Sequence, residues 1–325
     1  GLQQARKTPQ GLATRAVGAV MRGTEHPLSY PSGGLPDTVA KITLDDVKAY
    51  YQAHFPAHFA GVTVSTSVPH EKIVKALDGL AQLKVSQQAR PAIALKTPAI
   101  EGRTVYLVNK EGAAQSSLRV GQHALPYDAL GDYYLAYLGN FPLGGNFNSR
   151  INLNLREDKG YTYGARTYLV GEPQYGSYMM SSEVKKEATA DALNEVLTEL
   201  ATFDKEGMTE TEFNYLRSAI GQQEARSYET PSAKLGLLNR ILRYDLPLDY
   251  RSQQGTILQE TDRKTLNKAI TGLLEPDNMA IVVVGDTATI REDIEALGMP
   301  IVELNEDGYV IEAKKAPAAP ESASR

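Results

Sequence analysis

Arg156 and Tyr163 stand seven positions apart in the run 143–164, Leu-Gly-Gly-Asn-Phe-Asn-Ser-Arg-Ile-Asn-Leu-Asn-Leu-Arg-Glu-Asp-Lys-Gly-Tyr-Thr-Tyr-Gly. An arginine at a helix end and a tyrosine just past a glycine turn can converge on one point. There they can donate hydrogen bonds to a carbonyl oxygen that turns negative as a peptide bond is attacked. Taken alone, such a pair reads as a surface arginine and a strand tyrosine. Tyr161 also follows the glycine and competes for the tyrosine role. Gly144, Gly145 and Asn146 open the run, and their ordinary reading is a plain turn.

Metal chemistry has little to draw on. The chain has no cysteine, which excludes disulfides, thiol catalysis and cysteine zinc sites, and it has 5 histidines. The nearest approach to a metal motif is His54-Phe55-Pro56-Ala57-His58. Its histidines are four apart, but proline breaks the helix that would align them, and no glutamate stands between. These two read as helix-terminal or surface histidines. His26 before Pro27 reads as a loop residue, and His70 and His123 have no companions.

The elements that must position the pair follow from periodicity. Phe147, Ile151 and Leu155 recur every four residues, one apolar stripe of a short helix. Residues 161–170 and 175–181 read as two strands around the Gly171-Glu172-Pro173 turn. Residues 104–108 and 117–121 read as strands, and the tyrosine-rich 127–138 as a helix with Tyr133, Tyr134 and Tyr137 in the core. A long amphipathic helix buries Leu193, Val196, Leu197 and Leu200, and Thr209 with Glu212 forms a capping box for the next. Residues 1–33 begin helical at 11–17 and end in a Gly/Pro-rich turn.

Two segments match at an offset of about 220 residues. Residues 43–56, 61–64 and 71–77 correspond to 261–276, 281–286 and 293–297, with Pro56 opposite Pro276 and Val62 opposite Val282. Both copies read as helix, proline stop, buried strand, turn, helix. A unit of that size fits once after residue 100, so the spacing predicts the second half of one unit followed by one whole unit. The first half-unit would then lie outside this chain, which starts at Gly1 rather than at a methionine.

Composition sets the outer bounds. The 325 residues fit two domains, and 42% hydrophobic with 22% charged residues is ordinary for a globular chain. A net charge of -5, with no Lys/Arg cluster interleaved with aromatics, argues against nucleic acid as a partner. No apolar run approaches the length of about 18 residues that a membrane span needs.

The run 143–164 resembles the second-half signature of the M16 (pitrilysin-like, inverted-zincin) peptidases: Leu-Gly-Gly, then Ser-Arg-Ile-Asn, then Leu-Arg-Glu-x-Lys-Gly-x-x-Tyr. Residues 23–30 (Gly-Thr-Glu-His-Pro-Leu-Ser-Tyr), 42–47, 108–116 and 283–286 are similar to further segments of the same family. The resemblance implies an α+β fold of duplicated M16-type (LuxS/mitochondrial-processing-peptidase-like) units, an antiparallel sheet with helices packed on it. It implies a truncated first domain over 1–85, a linker over 86–102, a complete second domain over 103–312 and a disordered tail over 313–325. The resemblance implies that Arg156 and Tyr163 take the catalytic positions that stabilise the reacting carbonyl. Gly144, Gly145, Asn146 and Tyr161 are placed on the substrate side.

The family's His-x-x-Glu-His is absent from the sequence. The resemblance therefore implies a zinc peptidase whose Zn2+ is held by another half, on the same polypeptide or a partner chain, with none bound by this chain. The expected substrate is unfolded peptide, added as an edge strand through main-chain hydrogen bonds with little sequence selectivity. Exported bacterial members point to the periplasm. The alternative is a non-catalytic M16-like structural or partner subunit.

Overall fold

Six segments build one sheet in the computed structural model, which describes residues 4, 6–54, 61–82 and 96–311. The strands are β1 (Arg103–Asn109), β2 (Gln115–Ala124), β3 (Thr162–Gly171), β4 (Gly176–Lys185), β5 (Met279–Gly285) and β6 (Ile301–Leu304), in the order β3-β4-β2-β5-β1-β6. The α+β class holds, but the sheet is mixed rather than wholly antiparallel. β3, β4, β2 and β5 pair antiparallel, while β1 runs parallel to both β5 and β6. The helix Thr287–Glu295 connects β5 to β6, which run parallel on either side of β1.

Two faces of this sheet have different covers. Val105, Leu107, Leu118, Val120, Tyr178, Met180, Ile281 and Val283 point to the main core. There they meet helices that include α4 (Asp132–Asn140), α5 (Thr189–Glu206) and α6 (Arg263–Thr271). Leu193, Val196, Leu197 and Leu200 of α5 are buried, as their spacing predicts. On the opposite face, α1 (Pro9–Arg22) lies across β1, β5 and β2, packing Leu12, Ala13 and Ala16 against Val108, Val282 and Val284, and Met21 against Met179 and Ala280. Thr8 caps α1 by accepting from the Gly11 N–H at 3.1 Å. α1 does not cover the outer end of this face, where Arg166 of β3 is exposed and Ser181 and Glu183 of β4 are only partly buried.

The two matched segments fold unequally. Around the second copy, α6 and β5 form as read, and every residue of β5 is buried, while the helix read at 293–297 runs Thr287–Glu295 and so begins six residues earlier. In the first copy α2 (Leu44–His54) and α3 (His70–Leu77) form, with all of α2 exposed. The strand expected at 61–64 is not formed: Val62 and Val64 are exposed in an irregular segment. A β-branched run is stable as a strand only in a ladder, and among the described residues none flanks it. Phe55, Pro56, His58, most of the expected linker and the expected tail lie outside the described residues.

Other expectations are refined. The tyrosine-rich helix starts at Asp132; Tyr133 and Tyr134 are buried, but Tyr137 is exposed. The capping box forms, with Glu212 accepting from the Thr209 N–H at 2.7 Å and Thr209 Oγ1 from the Glu212 N–H at 3.3 Å. The helix expected to carry Phe147, Ile151 and Leu155 is a short turn, Arg150–Asn152, continuing into a π-helical turn, Leu153–Asp158. Ile151 and Leu155 are buried, whereas Phe147 precedes the turn and is exposed.

Candidate functional site

The run 143–164 folds against the outer edge of the sheet, and each part is fixed by a specific contact. Residues Phe141–Gly145 form a π-helical turn rather than a loose loop. Gly144 is pressed onto β3: a Cβ there would sit 2.5 Å from the Thr167 nitrogen and 2.2 Å from its hydroxyl. Its missing side chain thus permits a close approach of backbones. Asn146 makes its own turn, donating to the Phe141 carbonyl at 2.7 Å and accepting from the Asn148 N–H at 2.8 Å. Gly145 and Asn146 both line a cleft of about 430 Å³, together with Gln10, Phe147, Asn152, Tyr163, Arg166, Ser181, Ser182 and Glu183.

Arg150 holds this run to the body of the domain. Its guanidinium forms a two-pronged pair with Glu212 at 2.6 and 2.7 Å and donates to the Gly207 carbonyl at 3.0 Å. Burial pushes the Glu212 carboxyl up, but the Arg150 hydrogen bond and those from Thr209 win and hold it below the usual carboxylate range. The turn that carries Arg156 is tied down on both sides. Asn154 donates to Glu195 and Glu199 at 3.0 and 2.9 Å, and Lys159 pairs with Glu195 at 2.8 Å. Gly160, at φ +65°, reverses the chain, and the Tyr161 N–H closes the turn on the Leu155 carbonyl at 2.8 Å.

The two candidate tyrosines part company after that turn. Tyr161 packs partly buried against the main core. Tyr163 is 90% exposed and opens into the cleft. The cause is a β-bulge: Thr162 pairs with Val184 and Ala165 with Ser182, so Tyr163 and Gly164 together oppose Glu183. Hydroxyls lock it. Thr162 Oγ1 lies 2.6 Å from the Glu183 carbonyl and accepts from the Gly164 N–H at 3.1 Å. Ser182 Oγ lies 3.0 Å from Thr162 Oγ1 and 3.1 Å from the Gly164 carbonyl. Asn152 joins the bulge to the preceding loop, accepting from the Ala165 N–H at 2.9 Å and donating to the Phe147 carbonyl at 2.6 Å. Nothing in the sequence assigns this clamp to Thr162, Ser182 and Asn152; a glycine inside a strand is the available signal of a bulge.

Arg156 borders the cleft rather than lining it. Its guanidinium stacks 4.4 Å from the ring centroid of Phe147, which does line it, and pairs with Glu157 at 2.9 Å. On the far wall Glu183 accepts from Ser117 Oγ at 2.8 Å and from the buried Arg119 at 3.0 Å.

β3 is the edge strand, yet its outer side is not free for strand addition. Asn152 accepts from the Ala165 N–H, and Asn140 donates to the Thr167 carbonyl at 3.1 Å. Tyr133 and Tyr244 donate to the Leu169 and Gly171 carbonyls at 3.1 and 3.2 Å. A peptide pairing with β3 would have to displace these side chains. At the other edge, Val310 bridges Leu304 of β6.

Among the described residues no three His, Asp or Glu side chains group to hold a metal ion. His26 is buried and accepts from the Leu28 N–H at 3.0 Å, and His123 meets the Pro98 carbonyl at 2.9 Å. The described residues of this chain do not fit a zinc centre. No helix among them is long and apolar enough to cross a membrane.

Fold and cleft together define an α+β domain with one sheet face closed by helices and a polar cleft at the end of the other. The family model for the peptidase M16 inactive domain matches residues 41–220, and the chain belongs to that family. It is 25% identical over 229 residues to an uncharacterized zinc protease of Streptomyces coelicolor, covering 68% of this chain and 48% of the relative. It is 21% identical over 262 residues to a non-peptidase homolog of Helicobacter pylori, covering 80% and 60%. The chain spans about half the length of the first curated relatives it matches. The crystal structure of a peptidase M16 inactive domain from Pseudomonas fluorescens shares the fold, with a TM-score of 0.72 and 24% identity over 88% of this chain and 68% of that one. A protease from Helicobacter pylori gives a TM-score of 0.77 at 18% identity over 87% and 68%.

Proposed function

We propose that this chain is the non-zinc half of an M16-type metalloendopeptidase, binding unfolded peptide and stabilising the reacting carbonyl, and inactive by itself. The observation that carries the reading is the bulge that turns Tyr163 out of an otherwise alternating strand into a polar cleft. A tyrosine 90% exposed at a clamped, hydrogen-bonded position has no packing role to explain the clamp. In this reading Tyr163 and Arg156 donate hydrogen bonds to the carbonyl oxygen as it gains charge. Gly145 and Asn146 line the same cleft on the substrate side, and Gly144 sets their approach to β3.

The metal centre belongs to a zinc-bearing half, on the same polypeptide or a partner chain, and the zinc protease named among the relatives supports that assignment. With the outer side of β3 capped, strand addition of the peptide falls to the sheet of that other half. The division into a partial first domain over 1–85 and a second over 103–312, and a periplasmic setting, belong to the same reading. The test is turnover of an unfolded peptide by the complete enzyme carrying Arg156→Ala or Tyr163→Phe. Both substitutions lower kcat with little change in thermal stability. EDTA-sensitive proteolysis by this chain alone would overturn the claim of inactivity.

The second reading, a non-catalytic structural subunit, draws on the non-peptidase homolog of Helicobacter pylori that matches 80% of this chain. Unchanged turnover in both variants favours it.

A further inference from the structure

Charge in the cleft is unevenly compensated. Of its lining residues, only Arg166 and Glu183 belong to charged residue types. Glu183 is turned inward: one carboxylate oxygen takes both the buried Arg119 and Ser117. Arg119 and Glu183 therefore cancel within the sheet. Arg166 is exposed, its guanidinium resting 5.7 Å from the ring centroid of Tyr168, and among the described residues no carboxylate pairs with it. The result is one uncompensated cation on an otherwise neutral, hydrogen-bonding wall.

Its position relative to Tyr163 has a definite length. Arg166 is paired with Ser181, and Tyr163 opposes Glu183 two residues along β4, so both side chains stand on the same face of the sheet. Because the bulge absorbs one residue, the separation is two steps of β4, about 7 Å at about 3.4 Å per residue, the span of about two residues of an extended peptide. The planar guanidinium matches a carboxylate with two parallel hydrogen bonds, which an ammonium or a neutral group cannot form.

We infer that Arg166 is a specificity-determining residue that selects a carboxylate on the bound peptide, an acidic side chain about two residues from the carbonyl at Tyr163. This rests on the peptide-binding reading and deepens it, replacing indifference to sequence with a preference at one position.

Matched unstructured peptides with Glu, Gln or Lys at each position in turn, each with a free or an amidated C-terminus, test it on the complete enzyme. Binding is read by fluorescence anisotropy after chelator treatment, and kcat/KM on the metal-loaded enzyme. The wild type prefers Glu over Gln by about tenfold at one position, Arg166→Gln abolishes that ratio, and Arg166→Glu reverses it towards Lys. Arg166 is exposed, so both variants keep the wild-type melting temperature. A loss that follows amidation instead of the side chain supports carboxylate recognition but assigns it to the peptide terminus. Identical Glu/Gln ratios in all three proteins overturn the inference while leaving the peptide-binding reading intact, provided Tyr163→Phe still lowers turnover. If no peptide binds or is cut, the reading falls and the inference falls with it.

Discussion

Thr162 and Ser182 meet hydroxyl to hydroxyl at 3.0 Å beneath the bulge that carries Tyr163. Both are buried, and both reach the Gly164 backbone. Thr162→Val keeps the shape but leaves the Gly164 N–H without its acceptor, so it costs about 1–3 kcal/mol of stability. In the complete enzyme it lowers kcat further than its effect on folding accounts for, because the bulge is free to relax. Urea unfolding beside peptide turnover checks this. Wild-type kcat in a destabilised Thr162→Val protein would show that the clamp does not position Tyr163.

Gly144 is a packing requirement. Alanine there meets the Thr167 backbone, so Gly144→Ala destabilises by about 1–3 kcal/mol, whereas Gly145→Ala, whose nearest neighbour is 3.3 Å away, costs less. Thermal unfolding of the two variants in parallel gives the order. Equal melting temperatures would contradict the close approach of the π-helical turn to β3.

The Arg150–Glu212 pair gives an acid-side prediction. Glu212 is held below its ordinary value of 4.5, so its contribution to stability is complete above that pH and is lost as pH falls through the depressed value. Glu212→Gln lowers stability at neutral pH by about 1.5–3 kcal/mol and flattens the acid limb of the stability curve. Urea unfolding from neutral to acidic pH measures both. An unchanged acid limb would mean that the pair does not survive in solution.

The buried tyrosines act at the opposite end of the scale. Burial pushes Tyr133 up to about 12, and Tyr178 higher still. Unfolded phenols ionise near their ordinary value of 10, so stability is complete below that pH and is lost as pH rises towards the folded values. Phenolate absorbance from these two positions, isolated by comparison with Tyr133→Phe and Tyr178→Phe, appears together with the loss of helical circular dichroism. Titration near 10 in a still folded protein would contradict their burial.

How much of this was legible in the sequence depended on which contacts are local. Strand β5 and the buried row of α5 follow from local pattern alone, because those positions simply face the core. The same pattern at 61–64 reads as a strand and does not form one, since a strand is completed by its neighbours rather than by its own residues. The conversion of the Phe147 helix into π-helical turns and the placement of α1 across the far face were not legible either. Both depend on what the backbone meets in three dimensions. Tyr163 could be named from its motif, but its exposure arises from a one-residue mismatch with β4, which period-two alternation does not encode. The capped side of β3 draws on Asn140, Tyr133 and Tyr244, distant in sequence from the strand they close.

The measurement that reaches the central claim is single-turnover cleavage of an unfolded peptide by the complete enzyme with Tyr163→Phe, read beside its melting temperature. Tyr163 is exposed and loses only a hydroxyl, so the fold is untouched. The account predicts a fall of about 10²-fold or more in the cleavage rate, the scale of losing one donor to a developing oxyanion, with an unchanged melting temperature. Wild-type cleavage by this variant would contradict the account and leave the clamped bulge without a catalytic role.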